Sequence, residues 1–385
     1  MAVWYHRLSW KILQMSYGIY LRKKYRIELL SFPKEPDPPY IFLANHAHRA
    51  DPFILGAFSK RAMSYIANVE AVSVIRRIGG RLVGVVPKTK GRPDLSAVKN
   101  VFQLLRSGNI VGIFAEGDRS WDGETDRIIE NIPGLIKKAD TPVRLARLRG
   151  NYLSLPRWAA TTRSGKIYVE FFNLSKDEIR SLSKHELHRK IASLLYRNDI
   201  KDDNMQSIRF RGKNLAAGIQ YLLWLCPSCT AQDSIYGKGD DIVCALCGGN
   251  WRLDGNLRFT PNNTTGMDLK DWSDWQKSEI RRICSRDKGE PLTVSNNVEM
   301  KIFENDDIRL CENGDITLFN DRLLFTSHHD GEKAVFDIGD ICYYIDNFNK
   351  YLQFIYRREK IRFNFKGKNA SKWIYFFRCL QGYSL

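Results

Sequence analysis

The chain has 385 residues, of which 43% are hydrophobic and 12% aromatic, so it is too long for a single small core and can build more than one. Its formal net charge of +17 predicts an anionic partner, either nucleic acid, a lipid surface or a phosphorylated substrate. No stretch reaches the roughly 18 to 20 apolar residues that a spanning helix requires, so any membrane is expected to be bound at its surface.

Residues 1–30 predict an amphipathic, membrane-docking segment. Aromatic residues such as Trp10 and Tyr20 alternate with basic ones such as Lys11 and Arg22. Rings at the headgroup level and cations toward anionic lipid suit a helix that lies in a membrane interface. The pattern also suits a helix packed on its own domain. Because it lacks the apolar core of a secretory signal, we expect the protein in the cytoplasm, at the cytoplasmic face of a membrane.

Residues 31–200 alternate strand and helix patterns, which predicts an α/β domain with a mostly parallel sheet flanked by helices. Two polar loops, 45–51 and 115–120, each follow a predicted strand. Parallel sheets bind ligands beyond the carboxyl ends of their strands, so these loops predict a site. Strands are predicted at 41–44, 63–67, 85–88, 110–114, 142–148 and 167–172, and helices at 51–60, 94–106 and 175–198.

Local signals predict where several helices begin and end. Asp51 before Pro52 is typical of an N-cap and the first helical residue. Ser175 and Ser183 are candidate N-caps, and Gly108 is placed to end the helix over 94–106.

Four cysteines between residues 201 and 260 predict a zinc ribbon after a linker. Two Cys-x-x-Cys pairs lie fourteen residues apart, a spacing typical of structural zinc and of a reducing compartment. A closed tetrahedral site leaves no position for substrate, so one structural Zn²⁺ is expected to stabilise folding. Its predicted ligands are Cys226, Cys229, Cys244 and Cys247.

Residues 290–385 predict a small mainly-β domain with a C-terminal helix. Two hairpins are expected, one turning at Asn320-Asp321 and one joined by 357–359. Strands closed by one helix resemble the pleckstrin-homology (PH) or GRAM barrels, which implies docking to a lipid headgroup or a protein. A purely structural appendage is the equal alternative. Ser371 is the predicted cap of the helix, with Trp373, Phe376, Phe377 and Leu380 on one face.

The two polar loops carry a family resemblance. The first contains Asn45-His46 and, after four further residues, Asp51; the second reads Phe114-Ala-Glu-Gly-Asp-Arg-Ser120. Together they resemble the glycerolipid and lysophospholipid acyltransferase family, of the 1-acylglycerol-3-phosphate acyltransferase type. Its hallmarks are a histidine and an aspartate separated by four residues, and a later Phe-Pro-Glu-Gly-Thr-Arg-Ser block. The resemblance covers roughly residues 30–175.

The resemblance implies roles for individual residues. His46 would be the general base on the acceptor hydroxyl, and Asp51 would hold its tautomer and stabilise the imidazolium. Arg119 would hold the phosphate of the acceptor lipid, a task suited to a planar fork of donors. The further substrate-binding positions are Lys88, Glu116, Gly117 and Ser120.

Two features leave alternatives open. His48 is a rival base, although the spacing from Asp51 favours His46. Asp118 stands where the family has threonine, and its carboxylate would repel a phosphomonoester unless it points away.

We therefore expect an O-acyltransferase that moves a fatty acyl group from acyl-CoA or acyl carrier protein to the hydroxyl of a lysophospholipid such as 1-acylglycerol-3-phosphate. The first alternative is a zinc-ribbon nucleic-acid-binding protein. Against it, the basic residues are spread along the chain rather than gathered near the cysteines. The second alternative is a catalytically silent lipid-binding scaffold.

Overall fold

The computed structural model describes residues 4–68, 84–88, 94–260, 267–287, 289–304, 307–347, 351–365 and 370–383. The chain divides into two compact units. The first comprises Met1–Arg157, Thr161–Lys213 and Gly255–Leu257, and the second comprises Trp158–Ala160, Asn214–Asp254 and Arg258–Leu385. The four domain boundaries expected from the sequence stay predictions.

The first unit is built on a seven-stranded sheet in the order β1-β7-β6-β2-β5-β3-β4. Its strands are β1 (Glu28–Ser31), β2 (Ile41–Ala44), β3 (Met63–Asn68), β4 (Val85–Lys88), β5 (Ile110–Phe114), β6 (Val143–Arg149) and β7 (Tyr168–Leu174). The strands from β6 to β4 are mutually parallel, whereas β7 pairs antiparallel with β6 and parallel with β1. The prediction of a mostly parallel sheet is confirmed.

Helices flank this sheet on both faces. They are α1 (Trp4–Leu13), α2 (Ile19–Lys24), α3 (Asp51–Gly56), α4 (Leu95–Arg106), α5 (Ile132–Ala139), α6 (Asn151–Ser154), α7 (Lys176–Ser181), α8 (Lys184–Leu195) and α9 (Asp203–Gln206), with a π-helical turn at Gln14–Gly18 joining the first two. Ser175 and Ser183 accept backbone hydrogen bonds as N-caps, as predicted. Gly108 lies just beyond α4 with φ +72°, also as predicted.

The central strand β2 is buried along its whole length. Phe42 and Ala44 belong to the core cluster that includes residues of α3, and Ile41 and Leu43 to the cluster that includes residues of α4, α5 and α8. Alternate side chains of a strand point to opposite faces, so a strand covered on both faces must be apolar throughout.

The predictions for the start and end of α3 are wrong. Ala50 occupies the N-cap position with no side-chain cap, and Asp51 is the first helical residue. The helix ends at Gly56 rather than near residue 60. Tertiary hydrogen bonds explain the early end, since the Lys60 N–H and the Ser59 hydroxyl both donate to the carboxylate of Glu35, each at 3.0 Å.

The second unit contains two antiparallel sheets and two longer helices. The small sheet has the order β10-β9-β8 and the large one the order β14-β13-β12-β11-β17-β16-β15. The elements are β8 (Ile235–Lys238), β9 (Asp241–Cys244), β10 (Asn250–Arg252), α10 (Leu269–Cys284), β11 (Thr293–Glu304), β12 (Asp307–Leu318), β13 (Arg322–Ser327), β14 (Lys333–Asp337), β15 (Ile341–Asn347), β16 (Tyr351–Tyr356), β17 (Glu359–Asn364) and α11 (Ser371–Leu380).

The mainly-β region with its C-terminal helix is confirmed. Both predicted hairpins form, β12–β13 and β16–β17. The second turns at Arg357-Arg358, both with positive φ, the conformation that matches the twist of paired strands. Trp373, Phe376 and Phe377 are buried in the core as predicted. Ser371 is not the cap, because α11 begins with it and Ala370 precedes it without a side-chain cap.

In the stretches that the structure describes, no helix is long and apolar enough to cross a bilayer.

Candidate active site

The candidate site lies at the carboxyl ends of three neighbouring parallel strands. β2 lies between β6 and β5, so the chain segments that follow these strands emerge side by side. Backbone hydrogen bonds join the two loops predicted from the sequence, from Ala115 N–H to the Ala44 oxygen and from Ser120 N–H to the His46 oxygen, each at 2.9 Å. The structure therefore brings together the two loops that the sequence separates by about seventy residues.

His46 is held on three sides. Its Nδ1 lies 2.8 Å from Oδ2 of Asp51, and its backbone N–H donates to Oε1 of Glu116 at 2.7 Å. The imidazole stacks on the Phe114 ring, with centroids 3.9 Å apart and planes inclined by 17°. The side chain is 17% exposed. The ring is thus fixed in orientation while part of it reaches the surface.

Asp51 receives hydrogen bonds from four groups. Oδ2 accepts from the His46 ring and from the backbone N–H groups of Ala47 and His48, at 2.9 and 2.8 Å. Oδ1 accepts from Nδ2 of Asn151 at 3.2 Å. Burial raises the pKa of Asp51. The hydrogen bond and charge of His46, together with the backbone donors, lower it by more than burial raises it, so the net pKa lies below its ordinary value.

The protonation of His46 follows from this carboxylate. Burial lowers the pKa of His46, and the hydrogen bond with Asp51 opposes the shift without cancelling it, so the ring is neutral at pH 7. An ionised Asp51 can only accept, which assigns the imidazole proton to Nδ1. Nε2 then carries the lone pair that a general base needs.

His48 occupies a different environment. It is buried, its Nδ1 accepts from the Ala50 N–H at 2.9 Å, and its Nε2 lies 3.2 Å from the hydroxyl of Tyr25. Burial lowers the pKa of His48 to about 4. Both ring nitrogens are therefore committed to hydrogen bonds that hold the loop.

The second loop is braced by Glu116 and Ser120. The buried carboxyl group of Glu116 accepts from the His46 N–H and, at 2.8 Å, from the Asp126 N–H, and burial raises its pKa to about 8. The hydroxyl of Ser120 donates to the Glu124 oxygen at 2.7 Å and accepts from the Gly123 N–H at 3.0 Å. These polar groups therefore form hydrogen bonds within the second loop and to the first.

Gly117 and Lys88 complete the predicted positions. Gly117 has φ +77°, a conformation that glycine adopts without strain. Lys88 ends β4, which is three strands away from β2 at the same edge of the sheet. At the usual strand spacing that is about 14 Å. The structure therefore does not bring Lys88 into the cluster around His46.

Arg119 lies beside the histidines. Its positive charge lowers the pKa of both His46 and His48. Burial and the charge of Arg157 lower the pKa of Arg119 itself to about 10, so it remains a cation at pH 7. A cation next to the dyad is suited to an anionic substrate group.

Sequence reasoning gave no role to two residues of this site, Asn45 and Asn151. Asn151 holds the second oxygen of Asp51, and Asn45 bridges β2 to β6 by donating to the Leu148 oxygen at 2.9 Å and accepting from its N–H at 2.8 Å. Asn151 follows strand β6 almost directly. A third polar residue at the carboxyl end of a predicted strand was the signal that could have found it.

A stack of rings continues from His46 into the sheet. Tyr65 lies 5.7 Å from Phe114 with the planes inclined by 14°, so Phe114 is between Tyr65 and His46. Gly112 makes room for this arrangement, because a Cβ at that position would lie 2.5 Å from the Tyr65 ring. The glycine within β5 thus supports the orientation of the histidine.

The four cysteines of the second unit converge as predicted. Their Sγ atoms all lie within 4.8 Å of one another. Cys226 and Cys247 are 3.8 Å apart, as are Cys229 and Cys244. A tetrahedral site with Zn–S bonds of about 2.3 Å has sulfur–sulfur edges of about 3.8 Å. The four thiols therefore fit a tetrahedral metal ion.

Residues 25–144 match the model of the family described as Acyltransferase. That segment contains both loops of the site and the His46–Asp51 pair. Residues 25–144 therefore form an acyltransferase domain, which includes β2 and β5. The chain is an acyltransferase through this domain. No curated protein sequence matches the chain at a significant level.

Three solved structures resemble parts of this chain. The 1-acyl-sn-glycerophosphate (LPA) acyltransferase PlsC from Thermotoga maritima is similar over 51% of this chain and 80% of its own, with 18% identity and a TM-score of 0.43. The Vps36 N-terminal PH domain is similar over 24% and 80%, at 13% identity and 0.20. The C-terminal domain of an unknown protein from Leishmania infantum is similar over 23% and 84%, at 10% and 0.18.

The ring stack predicts the effect of a methyl group at Gly112. Gly112→Ala should lower the free energy of unfolding by about 1–3 kcal/mol, since the new Cβ overlaps the Tyr65 ring. Denaturant unfolding measures this loss. In a Tyr65→Ala background the same substitution should cost far less.

Gly134→Ala is the matched control. Gly134 lies within α5, where a Cβ would meet nothing within 4 Å. This variant should be more stable by about 0.5–1 kcal/mol, because alanine favours helix over glycine. Equal destabilisation by both glycine substitutions would contradict the proposed packing.

Proposed function

We propose that the acyltransferase domain transfers a fatty acyl group from acyl-CoA or acyl carrier protein to the hydroxyl of a lysophospholipid such as 1-acylglycerol-3-phosphate. The observation that carries this proposal is the His46–Asp51 pair, in which a neutral imidazole is oriented by a buried carboxylate. Arg119 beside the pair supports an anionic acceptor.

The proposed mechanism needs no acyl-enzyme. The acceptor hydroxyl transfers its proton to Nε2 of His46 as its oxygen attacks the thioester carbonyl carbon. The carbonyl π electrons move to the oxygen, and Asp51 stabilises the imidazolium that forms. When the carbonyl re-forms, the carbon–sulfur bond breaks, and the leaving thiolate takes the proton from Nε2. The products are the ester and the free thiol of the carrier, and His46 is again neutral.

The other predicted positions receive distinct roles. Arg119 binds the phosphate of the acceptor as a charged donor. Glu116, Gly117 and Ser120 act by shaping the loop that carries Arg119, because their contacts lie within that loop and its neighbour. Lys88, farther along the same sheet edge, attracts a more distant anionic part of either substrate.

We also propose that the first two helices dock this domain to the cytoplasmic face of an anionic membrane. Arg22, Lys23 and Lys24 occupy the last turn of α2. Tyr17 packs edge-on against Phe53 at 5.4 Å, so this surface adjoins α3, the helix that begins with Asp51. Docking would therefore bring the dyad close to lipid substrates. The exposed apolar side chains, 49–74% accessible, are Leu8, Ile12, Met15, Ile19 and Tyr20.

Vesicle binding tests the docking surface. Replacing Ile12 and Met15 together by serine should reduce cosedimentation with anionic vesicles about tenfold or more, since apolar area and charge contribute jointly. Leu95→Ser, which changes another exposed leucine at 83% accessibility, is the matched control and should bind normally. Tighter, salt-dependent binding to duplex DNA than to the vesicles would favour the nucleic-acid alternative instead.

We propose that the four-cysteine cluster holds one structural Zn²⁺. Elemental analysis of the purified chain should give about one zinc per molecule, and Cys229→Ser should lower both the zinc content and the thermal unfolding temperature. Cys311→Ser, at an exposed cysteine outside the cluster, is the control and should change neither. A Cys229→Ser variant with full zinc content would contradict the ligand set.

The His46 proposal predicts that His46→Ala lowers kcat for acyl transfer by about 10²–10⁴-fold, because it removes the proton acceptor. Transfer of a radiolabelled acyl group from acyl-CoA to lysophosphatidic acid in mixed vesicles measures it. Circular dichroism and the unfolding temperature should match those of the unsubstituted protein.

His48→Ala is the comparison variant. Because both nitrogens of His48 bind within the loop, its loss should reduce stability more than chemistry, with a smaller fall in kcat than for His46→Ala. Normal activity of His46→Ala would refute the mechanism. Lysolipid binding without any acyl transfer by the folded, unsubstituted chain would favour the silent scaffold.

A further inference from the structure

The contacts of Asp118 bear on the headgroup that the site accepts. This carboxylate follows Gly117 in the loop next to His46, and its side chain is 42% exposed. Left unbalanced, a negative charge at this place would repel a phosphate group by Coulomb interaction. The structure places Oδ1 of Asp118 2.9 Å from a guanidinium nitrogen of Arg157 and 2.9 Å from the Arg119 N–H.

The side chain of Arg157 is buried against the loop rather than exposed at the surface. Its side chain is 2% exposed, and its guanidinium carbon lies 4.0 Å from the centroid of the Trp121 ring. The same Nη1 that meets Asp118 also donates to the Arg119 oxygen at 3.0 Å. One cation thus binds the side chain of one loop residue and the backbone of the next, which defines the path of the chain at Arg119.

The net charge around Arg119 is positive when both Asp118 and Arg157 are counted. The charges that act on Arg119 include those of Arg49, Arg157, Asp118 and Asp51, and Arg49 and Arg119 both lower the pKa of His48. With Arg119 itself, this set contains three arginines and two carboxylates. A phosphomonoester carries about −1.5 to −2 at pH 7, more than the single charge of a diester, so it gains most from such a site.

We propose that Arg157 is a positioning residue for a phosphomonoester acceptor, because it neutralises Asp118 and holds the backbone of Arg119. This inference rests on the proposed function and narrows it, since it selects phosphomonoester lysolipids over diester ones. The chemistry that the site recognises is a phosphomonoester, which both lysophosphatidic acid and the 3′-phosphate of CoA possess. Of these two sources, we assign the phosphomonoester at this site to the acceptor lipid.

The test is equilibrium binding without an acyl donor, measured by calorimetry below the micellar concentration. Arg157→Gln should weaken the binding of lysophosphatidic acid about tenfold, because Asp118 then loses the counter-charge of Arg157. Binding of lysophosphatidylcholine and of CoA should stay within about threefold. The double variant Asp118→Asn with Arg157→Gln should recover lysophosphatidic acid binding to within about threefold, since removing both charges removes the repulsion.

Two further variants keep the test decisive. Arg127→Gln, an exposed arginine in the same segment of the chain, removes an equal charge and should leave lysophosphatidic acid binding unchanged. If Arg157→Gln does not fold, Asp118→Asn alone should bind lysophosphatidic acid at least as tightly as the unsubstituted chain.

Each contrary outcome overturns the proposal. An equal loss for lysophosphatidylcholine would mean that Arg157 only orders the loop. A loss for CoA alone would assign the phosphate to the donor. A double variant no better than Arg157→Gln would show that the lost backbone contact at Arg119, and not the charge of Asp118, weakens binding. Because no acyl donor is present, these results stand apart from the transfer assay. If the expected binding differences were found but acyl transfer were absent, the result would count against the acyltransferase mechanism and not against the Asp118–Arg157 pair.

Discussion

The structure of the site depends on one buried carboxylate. Asp51 is fully buried, and an ionised group without partners would be very costly there. Its two oxygens accept from the His46 ring, two backbone N–H groups and Asn151. The loop between β2 and α3 therefore has to fold around the aspartate. The conformation that satisfies the carboxylate is also the one that orients the imidazole.

A second buried carboxyl group couples this loop to its neighbour. Glu116 accepts from the backbone N–H of His46 with one oxygen and from Asp126 with the other, so the first loop cannot reach its conformation without the second. The two motifs are distant in the chain, but they form one hydrogen-bonded unit because β2 and β5 are adjacent and parallel. Their joint appearance in the sequence is for this reason more informative than either motif alone.

Local chemistry explains which features could be predicted from the sequence. The strands, the serine caps, the turn at Gly108 and the cysteine knuckles each depend on residues close together in the chain. The wrong predictions concern the ends of helices. Asp51 has the sequence pattern of a cap, but its oxygens accept from groups that precede the helix and from the distant Asn151. Ser371 has a similar pattern and begins its helix without capping it.

The same distinction applies to the charges around His46. From the sequence, Asp118 conflicts with a phosphate site, because its partner cannot be identified there. That partner, Arg157, lies 39 positions later and after a further strand. Nothing local marks Arg157 as its partner, and an arginine so deeply buried requires a counter-charge as much as the aspartate does. The charge of each residue is thus unfavourable without the other. As a pair, they offset the repulsion between Asp118 and a phosphate and add rigidity next to Arg119. A departure from a family pattern can in this way be compensated at a distance, by a residue that no local feature of the sequence identifies.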